Sequence, residues 1–171
     1  MDSEIRALIA HFDLQTLPVE GTLFTQSYRS REKTATGELA GSAIVGLFCD
    51  EPRSFSCFHT LTHDEIWHFY RGDPLRLILM HPDGSSEDVI LGSDLAAGQH
   101  VQFVVPAGVM QAGELVAGGR YALYGCTMAP GFSAASFAAP NEAALLAQWP
   151  DRAADIGRLC VHGDAKMPAD I

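Results

Sequence analysis

The chain has 171 residues, 47% hydrophobic and 19% charged, with a formal net charge of −10. That length fits one domain with a sizeable core, and the shortage of basic residues excludes nucleic acid and an anionic membrane surface as partners. Apolar runs are too short to span a bilayer, and the start, Met1-Asp2-Ser3-Glu4, lacks the basic-then-apolar order of a signal peptide, so a cytoplasmic protein is expected. Ser3 reads as a capping residue, and Ile5, Leu8, Ile9 and Phe12 follow at helical spacing, which predicts a short amphipathic helix ending near His11. Pro18-Val19-Glu20-Gly21 breaks it. Residues 22–29 alternate and are β-prone, giving a first strand. Residues 30–41 are polar, contain Gly37 and Gly41, and read as a mobile loop. β-like runs then recur at 43–49, 54–59, 65–71, 75–80, 87–91, 101–105, 109–116 and 121–128. Turn signals separate them, among them Pro82-Asp83-Gly84, Pro106-Ala107-Gly108 and Gly118-Gly119. Many short strands at even spacing predict an all-β sandwich or barrel. After Pro130-Gly131 the composition shifts to Ala and Leu, with one helix expected up to Trp149 and a second over 151–159. A single domain over 1–160 and a flexible tail over 161–171 are expected. Cys49, Cys57, Cys126 and Cys160 are widely spaced with no CxxC pair, the usage of reduced, buried thiols.

Residues 58–73, FHTLTHDEIWHFYRGD, concentrate the polar chemistry. His59, His63, Glu65 and His68 fall in a span that otherwise reads as strand. Alternation puts Glu65, Trp67 and Phe69 on one face and Ile66, His68 and Tyr70 on the other. A carboxylate on the face of a Trp and a Phe looks into an aromatic-lined cavity, where burial raises its pKa. His68 then belongs to an outer surface or an interface, and His63 to the turn at the cavity rim.

Two blocks of the chain resemble the paired motifs of the cupin superfamily. His59, Glu65 and Gly72 match the first histidine, the glutamate and the closing glycine of the first motif; Pro106 and Gly108 match the PxG turn of the second. Leu61 stands where the first motif has its second histidine, and Gln111 where the second has its histidine. Glu20-Gly21, Ser27-Tyr28-Arg29-Ser30, residues 64–69, Gly72-Asp73-Pro74-Leu75 and residues 125–132 look like the RmlC-like branch of small cupins long filed as a domain of unknown function. The resemblance covers residues 5–158. It implies an all-β fold, the cupin double-stranded β-helix or jelly-roll barrel, with a short N-terminal helix and one or two C-terminal helices. It also implies a homodimer and a pocket inside the barrel. Exposed Ile66 and Tyr70 would suit a sheet-to-sheet dimer.

A full cupin site offers three His and one Glu to iron, manganese, nickel or zinc. Here the matched metal set is His59, Glu65 and Gln111, with His63 as a substitute; an uncharged amide is a weak ligand, so at most a weakly bound divalent metal (Zn, Ni, Fe or Mn) is expected. The metal-free alternative makes His59 the general base, Tyr28 the acid and Glu65 their catalytic neighbour. Glu20, Trp67, Gln111 and His63 are expected to contact a small-molecule ligand. Arg29 would clamp a carboxylate or phosphate, but its parity is opposite to that of Tyr28, and Tyr28 is expected to face inward. The resulting expectation is an isomerase-, epimerase- or cyclase-like enzyme acting on a small polar carbonyl or sugar-type compound. The alternatives are a non-catalytic ligand-binding or sensing cupin and a metal-dependent oxygenase.

Overall fold

The structure, a computed structural model, describes residues 2–161 and 166–169. Helix α1 (Ser3–Phe12) is capped by Asp2, whose side chain accepts the Glu4 amide N–H at 2.7 Å, and ends at Asp13 in the left-handed conformation. The cap is thus Asp2 and not Ser3, because the acceptor must precede the first turn's free N–H groups. Eleven strands follow among the described residues: β1 (Gln15–Thr16), β2 (Leu23–Arg29), β3 (Ser42–Cys49), β4 (Ser56–Leu61), β5 (Glu65–Gly72), β6 (Leu75–Met80), β7 (Ser86–Leu91), β8 (Gln102–Val105), β9 (Met110–Leu115), β10 (Tyr121–Met128) and β11 (Phe137–Ala138). Each β-like run of the sequence becomes one of these strands within two residues. β1 and β11 are too short to show alternation. Helices α2 (Glu142–Gln148) and α3 (Ala153–Leu159) close the chain.

Two sheets face each other, in the orders β1-β2-β3-β10-β5-β8 and β11-β4-β9-β6-β7, with antiparallel pairing throughout. This is the expected jelly roll. Sequence-distant strands become neighbours, so β10 lies between β3 and β5. Phe48, Trp67, Leu77, Leu91 and Tyr124 fill the space between the sheets. Outside the second sheet, Leu145 of α2, Trp149 at its C-cap, and Ile156 and Leu159 of α3 cover Phe58, Ile78 and Met110. Outside the first, Ile5 of α1 packs with Leu23, Leu47 and Leu123. Each fully buried aliphatic side chain contributes about 1.5–3 kcal/mol, so these outer layers anchor the helices. Ion pairs from Arg76 to Asp88 (2.8 Å) and Asp155 (3.0 Å) tie α3 to the second sheet.

Residues 30–41 form a short hairpin: Lys33 bridges Leu39, and the Thr34 and Ala40 N–H groups donate to the Glu38 and Glu32 carbonyls. The expected tail falls largely on residues 162–165 and 170–171, outside the described residues. At its start Val161 is buried and bridges Asn141, and Met167 is buried as well. All four cysteines are buried free thiols. Among the described residues no helix is long and apolar enough to cross a membrane.

Candidate functional site

The two sheets part at one end of the barrel to leave a cavity of about 570 Å³, counted out to its mouth. Phe24 and Gln26 of β2, Ser42 and Ile44 of β3, His59 and Leu61 of β4, Glu65 and Trp67 of β5, and Cys126 and Met128 of β10 line it. These are alternate residues on each strand, as the pleat requires. Leu17, Glu20 and Phe132 close the wall from the flanking segments.

Glu20 arrives on a tight turn in which the Gly21 N–H donates to the Leu17 carbonyl. Val19 within that turn has φ 68°, a left-handed conformation that a β-branched residue adopts only under strain. The Cys57 N–H donates to the Glu20 carbonyl at 2.9 Å and pins the turn to β4. The Glu20 side chain is buried, and burial pushes its carboxyl up to about 7, with the Ser56 hydroxyl pulling the other way.

His59 is 2% exposed. Its Nδ1 lies 2.8 Å from the Cys57 carbonyl oxygen. A carbonyl only accepts, so Nδ1 carries the proton and Nε2 keeps the lone pair. The ring stacks on Phe137 at 5.1 Å, which fixes its plane. Burial lowers the imidazole's pKa, although Glu65 and the Cys57 carbonyl act in the other direction, so the ring is neutral at neutral pH. Glu65 is buried and its carboxyl is raised by burial; His59 lowers it, Glu20 raises it, and hydrogen bonds from Gln111 and Cys126 lower it. Its Oε2 accepts from Trp67 Nε1 at 3.1 Å and from Gln111 Nε2 at 2.8 Å, and Gln111 Oε1 accepts from the same indole at 3.0 Å. Burial holds the Cys126 thiol well above its ordinary range, so it remains protonated and is not a nucleophile.

The structure therefore brings Glu20, His59, Glu65 and Trp67 to one cavity and sets Gln111 behind Glu65. It leaves Tyr28, Arg29, His63 and His68 outside. Tyr28 is 55% exposed and does not line the cavity. The cause is a bulge in β2: Gln26 pairs with Ile44 but Tyr28 pairs with Ala43, so Ser27 is an extra residue that reverses the alternation. Arg29 pairs with Ser42 but is exposed at the strand's end. His63 Nε2 pairs with the Glu38 carboxylate at 2.8 Å, joining the β4–β5 turn to the 30–41 hairpin. On the outer face of β5, His68 bonds Thr127 and Gln102.

Residues 6–139 match the family described as Cupin superfamily (DUF985). The chain belongs to that family. This cupin is similar to protein SO0799 of Shewanella oneidensis, with 32% identity and a TM-score of 0.84 over 95% of this chain and 99% of that one. It is also similar to a hypothetical protein from Leishmania major, with 26% identity and a TM-score of 0.82 over 95% and 100% of the two chains. Oxalate decarboxylase of Bacillus subtilis shares the fold at 14% identity, with a TM-score of 0.54 over 91% of this cupin and 39% of the enzyme. No curated protein matches the sequence.

The metal centre that the fold family implies does not fit these residues. Gln111 accepts the Trp67 indole N–H with its oxygen and donates its nitrogen to Glu65, so turning this uncharged amide onto a metal there would break bonds that hold Trp67 and Glu65 in place. Leu61 contributes a hydrocarbon wall where a second imidazole would stand. Among the described residues no three His, Cys, Asp or Glu side chains gather to hold a metal ion. The sequence reading missed Phe24, Gln26, Cys126, Met128 and Phe132 as wall residues. Alternation along β2 and β10 was the available signal for the first four; Phe132 lies outside any strand and had none.

Proposed function

We propose that this cupin is an acid–base enzyme of the isomerase, epimerase or cyclase type, acting on a small polar carbonyl compound held in the barrel cavity. The observation that carries this reading is one apolar cavity shared by a neutral imidazole and a buried carboxyl that keeps its proton up to about pH 7. Two groups whose environments set opposite proton assignments form an acid–base pair. His59 Nε2 takes the proton from a carbon beside the carbonyl while Glu20 gives its proton to the carbonyl oxygen, leaving an enol, an imidazolium and a carboxylate. Return of one proton to carbon, at another position or face, and of the other to Glu20 gives the isomer and restores both groups. Glu65, whose charge interacts with His59, stabilises the imidazolium in between. Tyr28 has no part in this scheme, and Glu20 takes its place as the acid. The competing reading, a non-catalytic binding or sensing cupin, is favoured by one observation: Glu65 Oε2 accepts from Trp67 and Gln111, both within the barrel wall.

The test is exchange of carbon-bound hydrogen for deuterium in small hydroxy- and amino-carbonyl compounds in D₂O, followed by NMR. Wild type should exchange at least one such compound, and His59→Gln should slow that exchange by roughly 100-fold or more. Unchanged exchange in His59→Gln would sink the proposal. Binding without any exchange would leave the sensing reading standing.

A further inference from the structure

The cavity wall is one-sided in charge. Its ionisable lining is Glu20, His59, Glu65 and Cys126, with no lysine or arginine among the lining residues. Arg29, which β2 pairs with Ser42 at the cavity's edge, is exposed and does not line the cavity. Burial pushes the Glu65 carboxyl up, and its hydrogen bonds pull it back down. Its Oε2 receives two N–H donors, and the Gln111 amide cannot turn round because its oxygen holds the Trp67 indole. Donors favour the ionised carboxylate. A buried carboxylate supplied with donors and no cationic side chain lacks its charge partner.

The rest of the wall suits the same partner. A protonated primary amine brings one positive charge and three N–H donors. The aromatic rings of Phe24, Trp67 and Phe132 in the wall also accommodate a cation. A chain of net charge −10 draws cations towards it and repels anions.

We propose that the cavity selects a small molecule carrying a protonated amine, seated on Glu65, and rejects carboxylates and phosphates. The inference deepens the acid–base reading and rests on it for the reaction: with the ammonium on Glu65, His59 and Glu20 stay free to move protons. The substrate class becomes small amino-carbonyl compounds, and the anion clamp expected of Arg29 has no role.

The experiment is an NMR titration of wild-type protein with two matched sets of probes: benzylamine, benzyl alcohol and benzoate, then isobutylamine, isobutanol and isobutyrate. The His59 ring and Trp67 indole resonances report on the cavity. The amines should bind roughly tenfold tighter than the matched alcohols or better, and the carboxylates should leave both resonances unmoved. Amine affinity should rise as pH passes about 7, where Glu20 loses its proton. The groups that face Glu20 are Glu65, His59, Cys57, Cys126 and Tyr124, and none of the thiols or the phenol titrates in that range because burial raises all three. Glu65→Gln, close to isosteric, should bring amine affinity down to that of the alcohol; if that variant does not fold, the wild-type three-way comparison decides alone. An alcohol or carboxylate that binds as tightly as its amine overturns the cation inference and leaves the acid–base reading in place. Displacement of the amine by Zn²⁺, Ni²⁺ or Mn²⁺, abolished in His59→Gln, overturns it in favour of a metal. Silence of both resonances with every probe counts against the cavity as a ligand site and removes both readings.

Discussion

The two ends of this barrel are built on different terms. At the packed end, shape decides. Phe48 and Tyr124 lie 4.5 Å apart at their ring centres, and each ring occupies space that a glycine leaves open. A Cβ on Gly46 would stand 2.3 Å from Tyr124 Cζ, and one on Gly113 would stand 2.8 Å from Phe48 Cζ. The single polar atom of that pair, the Tyr124 hydroxyl, is matched by Thr22 Oγ1 at 2.7 Å. At the cavity end the same strands present Ser42, His59, Glu65 and Cys126, and the wall does not close. One end satisfies itself; the other keeps buried acids and an imidazole without counter-charge, which no folding requirement explains. The contrast locates function where stability is given up.

That contrast can be broken from either end. The largest effect belongs to Phe48→Ala, which should cost about 3–5 kcal/mol in urea unfolding and do so equally at pH 5 and pH 8, because no titrating group is involved. A strongly pH-dependent loss would show that the two ends are not separable. Next comes the cavity's own cost. The Glu20 carboxyl rises from 4.5 unfolded to about 7 folded. The folded state therefore binds the proton more tightly, so this group's stabilising contribution is complete below about pH 4.5 and is lost as pH climbs through 7. The span corresponds to about 3 kcal/mol across that window. Wild type should lose stability over it, and Glu20→Gln should flatten the profile; identical pH profiles for the two proteins would refute the assignment. The smallest change expected is at Val19. Val19→Gly relieves the left-handed strain of a β-branched residue but frees the unfolded chain, so the net gain should be only about 0.5 kcal/mol. A clear loss of stability would mean that the Val19 side chain, not its backbone, holds the Glu20 turn.

Most of the barrel was legible because its strands announce themselves by alternation and turn residues, and the paired motifs around His59, Glu65 and Pro106 agreed. The site was legible only as far as alternation runs unbroken. Glu65 and Trp67 sit on the cavity face because β5 keeps its period from Glu65 through Trp67. Tyr28 is misread by the same rule, since one extra residue at Ser27 turns it outward, and a bulge leaves no mark in a pattern of polar residues. Gln111 is the reverse case. Its place where the second motif has a histidine suggested a ligand, but the hydrogen bonds that commit both ends of its amide depend on Trp67 and Glu65, dozens of residues away in sequence. The 30–41 segment reads as a loose loop by composition because the bonds that fold it are backbone to backbone and carry no residue signature.

Trp67 gives this protein an optical channel to its own site. The chain has two tryptophans. Trp149 lies outside the second sheet with its indole N–H on the His81 carbonyl and does not line the cavity. Trp67 shares its N–H between Glu65 and Gln111 and stacks on Tyr124 at 4.8 Å. Any charge that arrives at or leaves Glu65 changes the field along that indole. Its emission should shift in wavelength and intensity while that of Trp149 holds still, so the occupancy of the cavity can be followed without a label.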